Sequence, residues 1–170
     1  MAREIERKFL VKTAAWRDQA HKQVRIRDGL LAFSDGRKVR VRFYDDHATL
    51  TVKGKRKGIA RDEFEYDIPR SDGLILLEQH CERDVLVKTR HHIQFDGFDW
   101  VVDEYFDLLA GVVLAEIELR SEDAIFSRPE WLGREVTGVQ KYRQVNLIKA
   151  RREKNARAAA ALPEGAAAGE

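Results

Sequence analysis

Polar and apolar residues alternate with a period of two along much of the first 120 residues. The segment "RKVRVRFY" shows the pattern well, because Val39 and Val41 alternate with Arg40 and Arg42. Alternation of this kind places successive side chains on opposite faces of a β-strand. The pattern predicts eight strands, at residues 4–11, 24–32, 37–44, 48–55, 61–68, 85–92, 98–106 and 113–120.

Short polar turns separate several of these strands. Ser-Asp-Gly occupies residues 34–36, Asp-Asp-His occupies 45–47, and Asp-Gly occupies 96–97. Connections this short join antiparallel strands, because a parallel crossover needs about a dozen residues or more. We therefore expect a mainly β (α+β) fold with a mainly antiparallel sheet.

Helices are expected to be few. One short helix is predicted after Thr13, and another from Ser71 to His80 with Ser71 as its N-cap. A third is predicted after Ser121, and a last one from near Val139 into the 150s.

The composition places the chain among single-domain proteins. Its 170 residues are enough to bury a core. The 31 basic residues nearly balance the 29 acidic ones, so the chain lacks the net basicity that would indicate a nucleic-acid partner.

The single cysteine, Cys81, excludes an internal disulfide and fits a reducing compartment. The longest apolar run, residues 108–115, is far shorter than the roughly 20 residues that span a bilayer. We expect a cytoplasmic protein without a membrane partner.

Residues 151–170 contain no aromatic and no β-branched side chain. A segment of this composition cannot bury enough apolar surface to order itself. We therefore expect one domain over residues 1–150 and a tail over residues 151–170 that is disordered after a helical start. The basic cluster of the tail, which is interpreted as a solvated helix end rather than a contact for an acidic partner, comprises Arg151, Arg152, Lys154 and Arg157.

Residues of like charge recur two positions apart along the predicted strands. The pairs are Glu4/Glu6, Arg40/Arg42, Lys53/Lys55, Glu63/Glu65, Lys88/Arg90 and Glu116/Glu118. The intervening residue is mostly apolar, so each strand has one charged face and one face suited to a core. For any single pair, the simplest interpretation is the solvent-exposed side of a sheet. Together the pairs indicate a surface that holds a ligand, because a solvated face gains from neighbours of opposite charge.

Closure of eight strands into a barrel would turn the charged faces inward and leave the apolar faces outside, against the helices. Buried ions are costly unless they are paired, so an ionic lumen suits an occupant that carries both signs. A polyphosphate with a bound divalent metal ion fits this requirement. Arginine and lysine bind phosphate oxygens, and carboxylates bind the hard cations magnesium and manganese.

The ordered set of charged motifs resembles the CYTH superfamily, the triphosphate tunnel metalloenzymes. The matching motifs are E-x-E-x-K at 4–8, R-x-R at 40–42, K-x-K at 53–55, R-x-E-x-E at 61–65 and K-x-R at 88–90. Asp103, Glu116 and Glu118 follow in order, and "WLGREVT" at 131–137, with Lys141 and Tyr142 after it, resembles the C-terminal signature of the family. The resemblance covers residues 1–150.

This resemblance implies an eight-stranded antiparallel closed β-barrel whose tunnel binds a linear triphosphate. It implies hydrolysis of inorganic tripolyphosphate to pyrophosphate and phosphate with Mg²⁺ or Mn²⁺, as in bacterial inorganic triphosphatase-like members. Glu4, Glu6 and Lys8 are the expected catalytic residues, and a water molecule activated by the metal is the expected nucleophile. The residues expected to bind phosphate are Lys8, Arg40, Arg42, Lys53, Lys55, Lys88 and Arg90. The expected metal ligands are Glu4, Glu6, Glu116 and Glu118, followed by Glu63, Glu65 and Asp103.

The second strand departs from the family pattern. Bacterial inorganic triphosphatases of this family often carry Gln-Gly-Tyr-Leu there, where this chain has Asp28, Gly29, Leu30 and Leu31. If the tyrosine hydroxyl contacts substrate or orients a lysine, Leu30 changes the rate or the substrate.

The same tunnel is compatible with other functions. The substrate of a hydrolase could be a nucleoside triphosphate or thiamine triphosphate, or the reaction could be the cyclisation of ATP, and only a substrate panel separates these. A non-catalytic sensor of polyphosphate or nucleotide would need the cationic strands but would gain nothing from the carboxylates. Removal of RNA 5′-triphosphates shares the metal chemistry, but no extended basic surface supports it.

Overall fold

The structure is a computed structural model that describes residues 3–81 and 84–160. Its nine strands are β1 (Arg3–Val11), β2 (Ala20–Ser34), β3 (Arg37–Phe43), β4 (Ala48–Lys53), β5 (Ala60–Ile68), β6 (Val85–Phe95), β7 (Phe98–Tyr105), β8 (Val113–Glu118) and β9 (Leu132–Glu135). Its α-helices are α1 (Arg70–Ile75), which continues as a π-helical segment over Leu76–His80, and α2 (Gln144–Ala160). Three 3₁₀ turns cover Arg17–Gln19, Asp107–Leu109 and Gln140–Tyr142.

Eight of the strands form a closed ring. The order is β5-β4-β3-β2-β6-β7-β8-β1, and β1 pairs in turn with β5 through Arg3–Ile5 and Ala60–Asp62. Every neighbouring pair is antiparallel. The ninth strand, β9, pairs with the C-terminal half of β1, where Phe9 is opposite Glu135 and Val11 is opposite Leu132. The prediction of an eight-stranded antiparallel barrel is confirmed.

The apolar side chains lie on the outer faces of the strands. Phe9, Trp100 and Trp131 are fully buried in the larger core cluster, where the ring centroids of Phe9 and Trp100 are 5.6 Å apart. A second cluster of Val41, Phe43, Ala48 and Leu77 includes residues of β3, β4 and the π-helical segment. Alternation puts the charged residues of the same strands on the opposite face, which is the inside of the ring.

A glycine in α1 allows this helix to approach the outer face of the sheet. A Cβ atom built at Gly73 would lie 2.9 Å from both the Ala48 Cβ and the Phe43 Cζ, closer than van der Waals contact allows. The helix therefore covers the apolar face of β3 and β4. Since that face is covered, the buried charged residues of these strands point into the ring.

Two of the predicted helix features are wrong, and a third is reduced to a single 3₁₀ turn. No helix follows Ser121, because the described segment 121–131 is irregular and leads into β9. Its Phe126 packs edge-on against Phe9 and Trp100, so the segment is held by aromatic contacts. Helix α1 begins at Arg70, after Pro69, and the hydroxyl of Ser71 donates to the side chain of Asp72 instead of capping the helix. After Thr13 the chain forms only the 3₁₀ turn at Arg17–Gln19.

The chain divides after Gly138 into two compact units. The first contains the nine strands and the second contains α2, in which Asn146 Nδ2 donates a hydrogen bond of 2.7 Å to the carbonyl oxygen of Gln140. Residues 151–160 continue α2, and residues 161–170 lie outside the described residues, so the predicted disordered tail remains a prediction. Among the described residues, no helix is long and apolar enough to cross a membrane.

Candidate active site

The inner face of the ring is lined by charged residues from seven of its strands and by Asp28 of β2. Directly paired residues share a face, and the register places Arg40 opposite Thr51, Arg42 opposite Asp28, and Arg90 opposite Asp103. The charged inner-face residues are Glu4, Glu6 and Lys8 of β1, Asp28 of β2, Lys38, Arg40 and Arg42 of β3, Lys53 of β4, Arg61, Glu63 and Glu65 of β5, Lys88 and Arg90 of β6, Asp103 of β7, and Glu116 and Glu118 of β8.

Asp28 is the centre of one ionic group. Arg42 donates to it twice, through Nε at 2.6 Å to Oδ1 and through Nη2 at 2.9 Å to Oδ2. Arg40 Nη1 and Lys88 Nζ each lie 3.8 Å from Oδ2. Burial raises the pKa of Asp28, but Arg42, Arg40 and Lys88 outweigh burial and hold the pKa well below its usual range. The carboxylate therefore stays charged and keeps three cations in one place.

Asp103 is the centre of a second ionic group on β6 and β7. Lys88 Nζ lies 2.5 Å from its Oδ2, and Arg90 donates two hydrogen bonds of 2.8 Å to its two carboxylate oxygens. Burial, together with Arg90 and Arg42, lowers the pKa of Lys88 to about 8 against the attraction of Asp103. Burial raises the pKa of Asp103, but Arg90 and Lys88 outweigh burial and lower it to about 2. Lys88 is thus shared between the groups centred on Asp28 and Asp103.

Glu116 extends the second group to β1. Arg90 Nη2 lies 3.3 Å from its Oε2, and Lys8 Nζ lies 2.6 Å from its Oε1. Burial lowers the pKa of Lys8, but Glu116 and Glu6 outweigh burial and raise it overall. Lys8 therefore remains a cation inside the ring.

A third ionic group surrounds Glu4. Lys53 Nζ lies between Glu4 Oε1 at 2.7 Å and Glu63 Oε2 at 2.6 Å, and the Arg61 guanidinium donates to Glu4 Oε2. Arg56, which lies just after β4, pairs with Glu6 at 3.2 Å. Cations of β4, β5 and the loop between them therefore offset the repulsion between the two glutamates of the E-x-E pair.

Glu118 differs from the other glutamates of the inner face because, among the described residues, it has no ion pair. Burial raises its pKa, and so does the negative charge of Glu4, Glu63 and Glu6. A divalent cation close to these carboxylates would relieve this repulsion, and carboxylate oxygens are the ligands that magnesium and manganese prefer. In the part of the chain that the structure describes, no group of three or more His, Cys, Asp or Glu side chains has the arrangement of a metal site. The residues fit a hard metal ion by charge and donor type.

The structure brings together most of the residues predicted from the sequence. Lys55 is separate from them, since its Nζ binds Asp35 at 2.9 Å on the surface and its side chain is 58% exposed. Glu65 accepts from the Thr51 hydroxyl at 2.8 Å and lies 3.7 Å from Arg40 at the edge of the Asp28 group. Leu30, the position at which the second strand departs from the expected family pattern, pairs in register with Arg40 on the inner face.

Sequence reasoning did not assign a role to four charged residues of the ring interior. Asp28 begins the second-strand segment that departs from the family pattern, and Arg61 is the arginine of the R-x-E-x-E motif. Lys38 continues the alternation of Arg40 and Arg42 by one more step. That alternation was a signal for Lys38. Arg56 lies in the loop three residues after the end of β4, and no periodic pattern indicates the direction of its side chain.

Comparison with known proteins gives the same assignment for fold and family. A sequence model of the CYTH domain matches residues 2–152. The chain is 46% identical over 149 residues to a protein named inorganic triphosphatase from Acetivibrio thermocellus, covering 88% of this chain and 95% of the relative. The crystal structure of the inorganic triphosphatase NE1496 matches with a TM-score of 0.62 and 32% identity, covering 85% of this chain and 97% of that one. A putative adenylate cyclase from Bacillus halodurans shares the fold, with a TM-score of 0.56 at 14% identity over 98% of this chain and 97% of that one.

Proposed function

This chain belongs to the CYTH domain family, and on that basis we propose that it hydrolyses a linear triphosphate inside its ring, with inorganic tripolyphosphate as the substrate and Mg²⁺ or Mn²⁺ as the cofactor. The relative named inorganic triphosphatase, which is 46% identical, supports the choice of substrate. The observation that carries the proposal is the interior of the ring, where six cations from four different strands are each held by a carboxylate. These cations are Lys8, Arg40, Arg42, Lys53, Lys88 and Arg90.

The first task of these cations is to bind the phosphate chain. Arginine and lysine form short charge-assisted hydrogen bonds to phosphate oxygens, and they are stronger where water is excluded. Arg42, Arg40 and Lys88 surround Asp28, so they are already oriented before a substrate arrives. Preorganised cations need little rearrangement during the reaction, and this lowers the barrier.

The metal ion would be held by Glu118, which has no ion pair among the described residues, together with its neighbours Glu4, Glu6 and Glu63. Glu116 and Asp103 lie farther along the ring interior, where they pair with Lys8, Lys88 and Arg90. When bound there, the ion would neutralise phosphate oxygens and make a nearby water molecule more nucleophilic. Glu65 is less suited to the role, since it accepts a hydrogen bond from Thr51 beside Arg40.

The reaction itself adds water across one phosphoanhydride bond. The water oxygen forms a bond to a terminal phosphorus, and the bridging P–O bond breaks with its electron pair passing to the departing pyrophosphate. The proton of the water passes to solvent or to a phosphate oxygen. Lys8 and Arg90 lie beside Glu116 and can hold the charge that develops on the departing oxygens.

Phosphate release from tripolyphosphate tests the proposal. The protein is assayed with magnesium, with manganese and with EDTA, beside the variants Glu4→Gln and Arg42→Ala. We expect release that needs a metal ion and falls by at least about 10²-fold in both variants, because each removes charge from the ring interior. ATP and thiamine triphosphate, assayed in parallel, measure the preference for an inorganic substrate. Absence of release with either metal would overturn the proposal.

A further inference from the structure

Lys38 lies on the inner face of β3, two residues before Arg40. It pairs in register with Lys53 on β4 and with Phe33 on β2. Lys53 lies in turn between Glu4 and Glu63, so Lys38 is next to the group that surrounds Glu4. This lysine is one position inside the end of its strand, since β3 begins at Arg37.

Lys38 has no anion as a partner among the described residues, in contrast to the cations around it. Lys53 contacts two glutamates, Arg40 lies near Asp28 and Glu65, and Arg61 donates to Glu4. Burial lowers the pKa of Lys38 well below its usual range, and the positive charge of Arg40, Lys53, Arg61 and Lys8 lowers it further. The charged neighbours with the largest effect on Lys38 are thus all cations.

Such an arrangement costs free energy in the ligand-free protein. Like charges directly opposite each other on adjacent strands repel, and a partly buried ammonium group without an anion is poorly solvated. A neutral side chain at position 38 would avoid both costs. The position is therefore suited to a residue whose counter-ion arrives with the ligand.

We propose that Lys38 binds a terminal phosphoryl group of the linear triphosphate, at the end of the ring that carries the turn between β2 and β3. The inference deepens the proposed function and rests on it, because it takes the linear triphosphate as the ligand. The cations that act most strongly on Lys38 are Arg40, Lys53 and Arg61, and no carboxylate of the described residues pairs with Lys38 itself. A terminal phosphoryl group supplies more negative oxygens than a carboxylate does. Lys38 lies near the strand end, beyond Arg40 and Arg42, so it meets the end of the chain rather than its middle phosphorus.

Direct binding separates this inference from the hydrolytic proposal. The 170-residue chain in EDTA is titrated calorimetrically with tripolyphosphate, and the variants Lys38→Gln and Lys38→Arg are compared with the parent. We expect Lys38→Gln to bind about 10- to 100-fold more weakly, the value of one charge-assisted hydrogen bond. Lys38→Arg should keep most of the affinity because it keeps the charge. The adjacent Arg37→Gln is the control, since Arg37 is exposed and pairs with Asp35 on the surface.

Thermal unfolding without ligand distinguishes binding from a structural role. Lys38→Gln should melt at the same temperature as the parent or higher, because it removes an unpaired charge. Unchanged affinity of Lys38→Gln, a marked fall in its melting temperature, or absence of tripolyphosphate binding by the parent would each overturn the inference. A parent that shows the expected binding pattern but releases no phosphate with magnesium or manganese would support the inference and overturn the proposed hydrolysis.

Discussion

Asp28 and Arg42 face each other across strands β2 and β3 and are joined by two hydrogen bonds, of 2.6 Å and 2.9 Å. Both side chains are nearly inaccessible to solvent, and the same carboxylate lies near Arg40 and Lys88. A buried ion pair of this geometry holds two strands together only while both partners are present.

Removal of the carboxylate should therefore destabilise the fold. We expect Asp28→Ala to lower the free energy of unfolding by about 3–5 kcal/mol, since it leaves buried cations unpaired. Urea denaturation measures the change. Asp35→Ala is the control, because its ion pairs with Arg37 and Lys55 are exposed and are expected to contribute about 0–1 kcal/mol. A loss below that of the control would contradict the assigned role of Asp28.

The two lysines of the K-x-K motif are expected to differ. Lys53 Nζ contacts Glu4 and Glu63 inside the ring, whereas Lys55 Nζ binds Asp35 at the surface. Lys53→Ala should lower kcat/KM for tripolyphosphate by about 10²- to 10³-fold, the usual effect of removing one charge-stabilising donor. Lys55→Ala should leave kcat/KM nearly unchanged. Equal losses in the two variants would restore the role that the sequence motif assigned to Lys55.

Glu118 provides a test of the metal site. Its carboxylate lies near those of Glu4, Glu6 and Glu63, and their charge, with burial, raises its pKa. Glu118→Gln should leave the metal-free protein as stable as the parent or more stable, because it removes a repelled charge. The manganese concentration for half-maximal activity should rise at least about tenfold. The exposed Glu122→Gln, which loses only a surface contact with Arg3, is the matched control, and an equal metal requirement in both variants would argue against Glu118 as a ligand.

Acid stability should depend on His91. This imidazole is buried on the outer face beside Trp16, and burial lowers its pKa below 6.5 although Glu104 attracts the charged form. Below about pH 6.5 the unfolded chain binds the proton more readily than the folded one, so the free energy of unfolding falls as pH falls. His91→Phe should reduce this slope between pH 7 and 5 in urea denaturation. His92, with a pKa lowered by burial and by Arg90, contributes in the same direction, so part of the slope should remain. An unchanged slope in His91→Phe would contradict this assignment.

The strands were largely predictable from the sequence because their signal is local. In β3, Val41 and Arg42 differ by one position and so point to opposite faces, whatever the rest of the chain does. The strand β9 and the loss of the helix after Ser121 were not predictable in this way. The four residues of β9 are too few to show a periodic pattern. The segment after Ser121 is held by contacts of Phe126 with aromatic residues that are distant in the sequence.

The candidate site was predictable in its composition but not in its partners. Like-charged pairs such as Glu4/Glu6 and Lys88/Arg90 could be recognised, since alternation places both members on one face. Which cation meets which carboxylate could not, because Lys53 and Glu4 are 49 positions apart and meet only across the closed ring.

By itself the sequence determined the eight strands, the antiparallel pairing of those joined by short turns, and the like-charged pairs on six of the strands, because all three depend on neighbours within a few residues. Only the tertiary structure decided that Lys55 lies on the surface, that Asp28 and Arg61 join the site, and that Lys38 lacks an anionic partner. These depend on where a strand ends and on which strands close the ring. The physical reason is that electrostatic pairing acts through space, so it is set by the closure of the ring and not by spacing along the chain.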